Sequence, residues 1–167
     1  MDCLQRIADY FTTEGLKAAC AESCTGGLLA AAFTELPGSS AWFDMGWVTY
    51  SNEAKEKLLG VRAETLRDYG AVSGETVREM ALGALVAAKA DFAVSISGIA
   101  GPGGGSDDKP VGTVWFGVAD KRKISAHRRQ FDGSRNEIRE QAVRYALYLL
   151  ADAAGVPLDA PFSDGLR

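Results

Sequence analysis

The run FAVSIS, residues 92 to 97, stands between a helical pattern and a glycine-rich loop and carries no charge at all. A strand of that composition is stable where both of its faces are covered, which makes it the buried centre of a sheet with helices on either side. The neighbouring patterns supply the helices. Leu4, Ile7, Ala8 and Phe11 recur at helical spacing and predict an amphipathic helix over residues 3 to 14, ended by Gly15. A strand follows through LKAACA, and the nearly continuous apolar run from Gly26 to Leu36 reads as a buried helix stopped by Pro37 and Gly38. MGWVTYS reads as a strand, Asn52 as the cap of a helix from Glu53, AETLRDY as a short helix, and Ser73 as the cap of a helix from Gly74 to Lys89.

Beyond FAVSIS, the runs TVWFGVA and KISAHRRQF flank Asp120-Lys121-Arg122 and predict an antiparallel hairpin, so the sheet is mixed. Ser134 and Glu137 have capping-box spacing, and Ile138, Ala142, Tyr145, Ala146, Leu149 and Ala153 mark one face of a last long helix. The fold class is α/β, a three-layer α/β/α sandwich around a mixed sheet, formed by one domain over residues 1 to 154 with a loose tail from 155 to 167.

Charge and composition narrow the function. A net charge of −4 argues against a general nucleic-acid or membrane-surface binder, because both need a basic face. MDCLQRIADYFTTEG is neither a signal peptide nor an anchor, and three cysteines clustered at one end are no secreted disulfide framework, so the cytoplasm is expected. A single histidine, His127, excludes metal sites built on several imidazoles, and Cys20 and Cys24 lack paired zinc spacing. Asp107 and Asp108 read as a solvated turn rather than a magnesium site, and neither a metal nor a cofactor is expected.

The chemistry concentrates in AESCTGGLLAAAF, residues 21 to 33, where a strand, a tight turn and a helix start bring Ser23 and Cys24 to the surface of a sheet. Backbone N–H groups at Thr25, Gly26 and Gly27 could hold an oxyanion or a phosphate. The competing reading makes Ser23 or Thr25 an ordinary helix cap. With histidine scarce, a serine nucleophile needs a lysine base, and Lys55 lies in the first turn of a predicted helix, where the dipole should lower its pKa; the alternative is a plain surface lysine. Cys24 is a rival nucleophile whose pKa a helix start would lower, but its partner would have to be His127, which reads as an edge-strand residue. The loop SGIAGPGGGSDDKPVGT lacks both the ending of a P-loop and a following helix; it is expected to line the ligand site through Gly98, Ala100, Gly101 and Gly104. Arg135, at the start of the last helix, could reach a phosphate or remain a solvated charge.

The ordered blocks AESCTGG, GSSAWF, VTYSNEAK, GAVS, SISGIAGPGGGSDDKPVGTVWFG and FDGSRNEIREQA resemble the CinA C-terminal domain family from about the first helix to about residue 150. The resemblance implies that fold and an amidase activity on nicotinamide mononucleotide, yielding nicotinic acid mononucleotide and ammonia in pyridine-nucleotide recycling. It places the family's serine on Ser23, its lysine on Lys55 and its neighbouring tyrosine on Tyr50, the last to orient or relay. It also implies a small-molecule partner and a homo-oligomer. Longer members carry an N-terminal molybdopterin-binding-like domain linked to nucleotide pyrophosphatase activity, which a chain of this length is not expected to show. The alternative function is a non-catalytic nucleotide-binding or competence-associated accessory protein with the same pocket.

Overall fold

The structure, a computed structural model, describes residues 3–159 and 162. In chain order the elements are α1 (Cys3–Glu14), β1 (Ala18–Glu22), α2 (Leu28–Phe33), a short 3-10 turn at Ser39–Ala41, β2 (Phe43–Val48), α3 (Asn52–Leu59), α4 (Ala63–Tyr69), α5 (Gly74–Ala88), β3 (Phe92–Gly98), β4 (Thr113–Asp120), β5 (Ile124–Gln130) and α6 (Arg135–Ala154). The strands form one sheet in the order β2-β1-β3-β4-β5. β1 runs parallel to both β2 and β3, whereas β3–β4 and β4–β5 are antiparallel, so the mixed sheet is as expected.

The FAVSIS run is the middle strand β3, with helices on both faces. Strand β1 is buried along its whole length, and its small side chains divide between the layers. Ala18 and Cys20 face the core built with α1, α2 and α6; Ala19 and Ala21 face the one built with α3, α4 and α5. Alternation of side chains across a strand requires this split. On the first face Trp42 packs edge-on against Phe11 and Phe33, with ring centroids 6.1 and 5.1 Å apart. Such rings supply large apolar area in geometries their quadrupoles favour.

Two glycines let helices approach more closely than any side chain would allow. A Cβ on Gly117 in β4 would lie 2.1 Å from the Val77 carbonyl oxygen, and α5 rests on the sheet there. A Cβ on Gly83 in α5 would lie 2.0 Å from the Leu59 carbonyl oxygen at the end of α3. The second contact seats α3, the helix that carries Lys55.

Several boundaries differ from expectation. Helix α2 covers Leu28–Phe33 rather than Gly26 to Leu36, because Gly26 and Gly27 adopt left-handed backbone and belong to the preceding turn, while Thr34 already leaves helical geometry. Apolar composition did not distinguish a long helix from a short one followed by a turn. Strand β2 begins at Phe43 and ends at Val48. Ser51, not Asn52, caps α3, its hydroxyl accepting from the Ala54 N–H at 3.0 Å. The Ser73 cap and the Ser134–Glu137 capping box form as their spacing predicts.

Of the tail expected to be loose, residues 160, 161 and 163–167 lie outside the described residues. Val156 is buried, and Arg6 of α1 donates to the Pro157 carbonyl at 3.0 Å and pairs with Asp159. No helix among the described residues is long and apolar enough to cross a membrane.

Candidate active site

At the C-terminal ends of the parallel strands a cavity of about 300 Å³ opens between the β1–α2 turn, the β2–α3 connection, the β3–β4 loop and the start of α6. Open α/β sheets place ligands in this position, because strand ends there release loops and helix starts toward one crevice.

Ser23 follows β1 directly, its N–H donating to the Ile96 carbonyl at 2.9 Å, which continues the β1–β3 pairing one residue past the strand. Lys55, from α3, is 1% exposed and projects its ammonium into the cavity floor. Its Nζ donates to Ser23 Oγ at 3.0 Å and to the Thr49 carbonyl at 2.7 Å. Serine hydroxyl and lysine nitrogen are therefore within proton-transfer distance although 32 residues separate them. Burial lowers the Lys55 pKa from 10.5 to about 8, with the nearby Cys24 thiol acting weakly the other way. The lowering is as expected, but its cause is desolvation by the protein rather than the dipole of α3.

Cys24 also lines the cavity, yet burial pushes its thiol up to about 11. A helix start was expected to lower it; loss of solvent outweighs that effect. His127 lies elsewhere, on edge strand β5 beside a separate cavity, with its Nε2 3.1 Å from Ser125 Oγ. A Cys24–His127 pair does not form.

The glycine-rich loop forms one wall of the main cavity, with Gly98, Ala100, Gly101 and Gly104 all lining it. Opposite stands Tyr50, 61% exposed. Arg135 spans the two, donating to the Gly101 carbonyl at 2.8 Å and to the Tyr50 hydroxyl at 3.1 Å. Tyr50 thus pairs with Arg135 rather than with Ser23 or Lys55.

Thr25, Gly26 and Gly27 do not line the cavity, contrary to expectation. The Gly26 N–H donates to the Ser23 carbonyl at 3.0 Å. The start of α2 is occupied by the carboxylate of Glu22, which is 0% exposed and accepts from Gly27, Leu29 and Ala30 at 3.2, 2.9 and 3.0 Å. By contrast, the N–H groups of Ala100, Gly101 and Gly104 donate to no acceptor among the described residues, whereas that of Cys24 turns to its own thiol.

Glu22, Thr49 and Arg139 escaped the sequence reading. For Glu22 a signal existed: Ala18, Cys20 and Glu22 share one face of β1, so a carboxylate had to enter a core and find donors there. Arg139, whose guanidinium donates to the carbonyls of Cys24 and Thr25 at 3.1 and 3.2 Å, offered none, since a helix arginine is ordinarily solvated.

Residues 2–154 match the family described as CinA C-terminal domain. Nicotinamide-nucleotide amidohydrolase PncC of Escherichia coli (strain K12) is 54% identical over 151 residues, covering 90% of this chain and 92% of the relative. The protein of the same name from Enterobacter agglomerans is 60% identical over 142 residues, 84% of this chain and 87% of that one. Among solved structures, competence/damage inducible protein CihA from Agrobacterium tumefaciens superposes with a TM-score of 0.88 at 50% identity, over 92% of this chain and 93% of that one.

Proposed function

The chain belongs to the CinA C-terminal domain family, and from that membership we propose that it is a nicotinamide-nucleotide amidohydrolase working through Ser23 and Lys55. The substrate is nicotinamide mononucleotide, and the products are nicotinic acid mononucleotide and ammonia. The observation that carries the mechanism is the 3.0 Å bond between Ser23 Oγ and a buried lysine whose pKa is lowered to about 8.

Neutral Lys55 takes the Ser23 proton as Oγ attacks the carboxamide carbon, and returns it to the departing nitrogen as the tetrahedral intermediate collapses to an ester and ammonia. Water, deprotonated by the same amine, then hydrolyses the ester and frees Ser23. The Thr49 carbonyl fixes the lysine nitrogen through both steps. With the start of α2 taken by Glu22, the developing oxyanion is held by the N–H groups of Ala100, Gly101 and Gly104 in the loop wall. Arg135, with Tyr50 against it, faces the phosphate end of the nucleotide.

The test is incubation of purified protein with nicotinamide mononucleotide, following ammonia and nicotinic acid mononucleotide, with Ser23→Ala in parallel. Equal formation of both products, lost in the variant, is the expected result. Saturable nucleotide binding without turnover in the parent protein would replace the enzyme with a binding module.

A further inference from the structure

We propose that Glu22 and Arg139 are positioning residues of the reaction, gripping the Ser23 turn from opposite sides and setting where the hydroxyl stands relative to Lys55. The inference rests on Ser23 as the nucleophile and adds what holds it.

The turn from Ser23 to Gly27 needs holding. Gly26 and Gly27 take left-handed φ values of 58° and 107°, a backbone that relaxes readily to other shapes if nothing fixes it. Two backbone hydrogen bonds support it, from Gly26 N–H to the Ser23 carbonyl and from Leu28 N–H to the Thr25 carbonyl, and neither ties it to the sheet or to α6. Helix α2 has six residues, too few to order the turn by its own stability.

The Glu22 carboxylate fastens the far end of the turn. It is buried, it immediately precedes Ser23, and both of its oxygens accept backbone N–H groups: Oε1 those of Gly27 and Leu29, Oε2 that of Ala30. The chain therefore leaves the residue before Ser23 and is tied back to it a few residues later, which closes the segment into a loop with Ser23 at its base, where the strand ends. No group in the proposed mechanism receives a proton from Glu22, and the residue does not line the cavity.

Arg139 holds the same loop from outside. Its Nε donates to the Cys24 carbonyl and its Nη2 to the Thr25 carbonyl, and a Cβ on Gly26 would come within 3.4 Å of Nη2. A fork of donors fixed to α6 thus sets the height of the turn above the sheet, and only a planar guanidinium spans two successive carbonyls in this way. The carbonyls on one side and the amides on the other are both satisfied by charged partners, which a purely structural turn of this length does not require.

The consequence is specific to the chemical step. Substrate contacts lie on the loop wall and Arg135, so loosening the Ser23 turn misplaces the nucleophile without changing how nucleotide binds. A misplacement of about 1 Å costs on the order of a hundredfold in rate.

The experiment compares steady-state kinetics of the full-length protein with Glu22→Gln, Arg139→Met and Arg139→Lys, alongside Ser23→Ala, using circular dichroism to establish folding. Labelling of Ser23 by a small sulfonyl fluoride, read by mass spectrometry, measures the nucleophile without substrate. Glu22→Gln keeps the shape but offers only one acceptor oxygen; Arg139→Met lies on a half-exposed helix face and tests the same idea if the Glu22 variant fails to fold. Expected is a fall in kcat of about 10- to 100-fold with KM within about twofold, a parallel fall in Ser23 labelling, and partial recovery in Arg139→Lys relative to Arg139→Met. Folded variants with parental kcat and labelling rate, or a loss residing wholly in KM, would overturn the positioning role. Full activity in Ser23→Ala would instead remove the underlying nucleophile assignment, so the two failures are separable.

Discussion

Raising the pH from 7 to 9 is the perturbation that most directly interrogates Lys55. Its nitrogen has a hydroxyl and a carbonyl as hydrogen-bond partners, and among the described residues no carboxylate pairs with it. Burial therefore acts almost unopposed and brings the pKa to about 8. The neutral fraction is about 0.09 at pH 7 and about 0.91 at pH 9, so kcat/KM should rise roughly tenfold across that interval and level off above it. The direction follows from the role: a base acts in its neutral form, and deprotonation supplies it.

The same burial has a stability counterpart of opposite consequence. Between 10.5 and about 8 the unfolded chain holds a proton that the folded chain has released, so stability falls as pH drops through this window and is level below it. Lys55→Met removes the penalty, which amounts to about 3 kcal/mol at neutral pH and vanishes above the unfolded pKa. The assay is initial-rate ammonia release at constant ionic strength over closely spaced pH values, paired with urea unfolding of the parent and Lys55→Met at pH 7 and pH 10.5. A rate flat between pH 7 and 9, a midpoint near the ordinary histidine value, or a Lys55→Met protein less stable than its parent at pH 7 would refute the reasoning.

Other consequences are equally open to measurement. Lys57→Ala and His127→Asn should leave the pH midpoint of kcat/KM unchanged, since Lys57 is an exposed partner of Glu53 and His127 borders a different cavity; a moved midpoint in either would shift the base away from Lys55. Gly83→Ala should destabilise the fold by about 1–3 kcal/mol and lower kcat, because its Cβ would collide with the Leu59 carbonyl and displace the helix bearing Lys55; chemical denaturation and kinetics together check this. Arg135→Lys should raise KM about tenfold while affecting kcat less, as an ammonium cannot bridge Gly101, Tyr50 and a phosphate at once; a change confined to kcat would contradict it. Cys24, with its thiol at about 11, should alkylate with iodoacetamide at pH 7 about a hundredfold more slowly than an exposed cysteine, as measured by mass spectrometry.

Local patterning in the sequence carried the elements and offered Ser23 and Lys55 as candidates, which the family resemblance then singled out. FAVSIS announced a strand covered on both faces, the spacing of Leu4, Ile7, Ala8 and Phe11 announced α1, and Ser73 and Ser134 announced their caps; these are short-range preferences that the chain expresses wherever it folds. The run after Ser23 was misjudged in extent because apolar composition marks burial, not the point at which glycine leaves helical geometry.

What tertiary structure alone decided was the assignment of partners. Whether Ser23 meets Lys55 depends on β1 lying beside β2 and on Gly83 admitting α3, contacts between segments far apart in the chain. The start of α2 looked free for a ligand until the sheet aimed Glu22 at its amides. The lowered pKa of Lys55 and the raised one of Cys24 both come from the depth to which the fold buries them. Sequence specifies which groups exist and which local shapes they favour, whereas proximity and dielectric are properties of the packed chain, and those set both the hydrogen-bond partners and the proton affinities on which this chemistry depends.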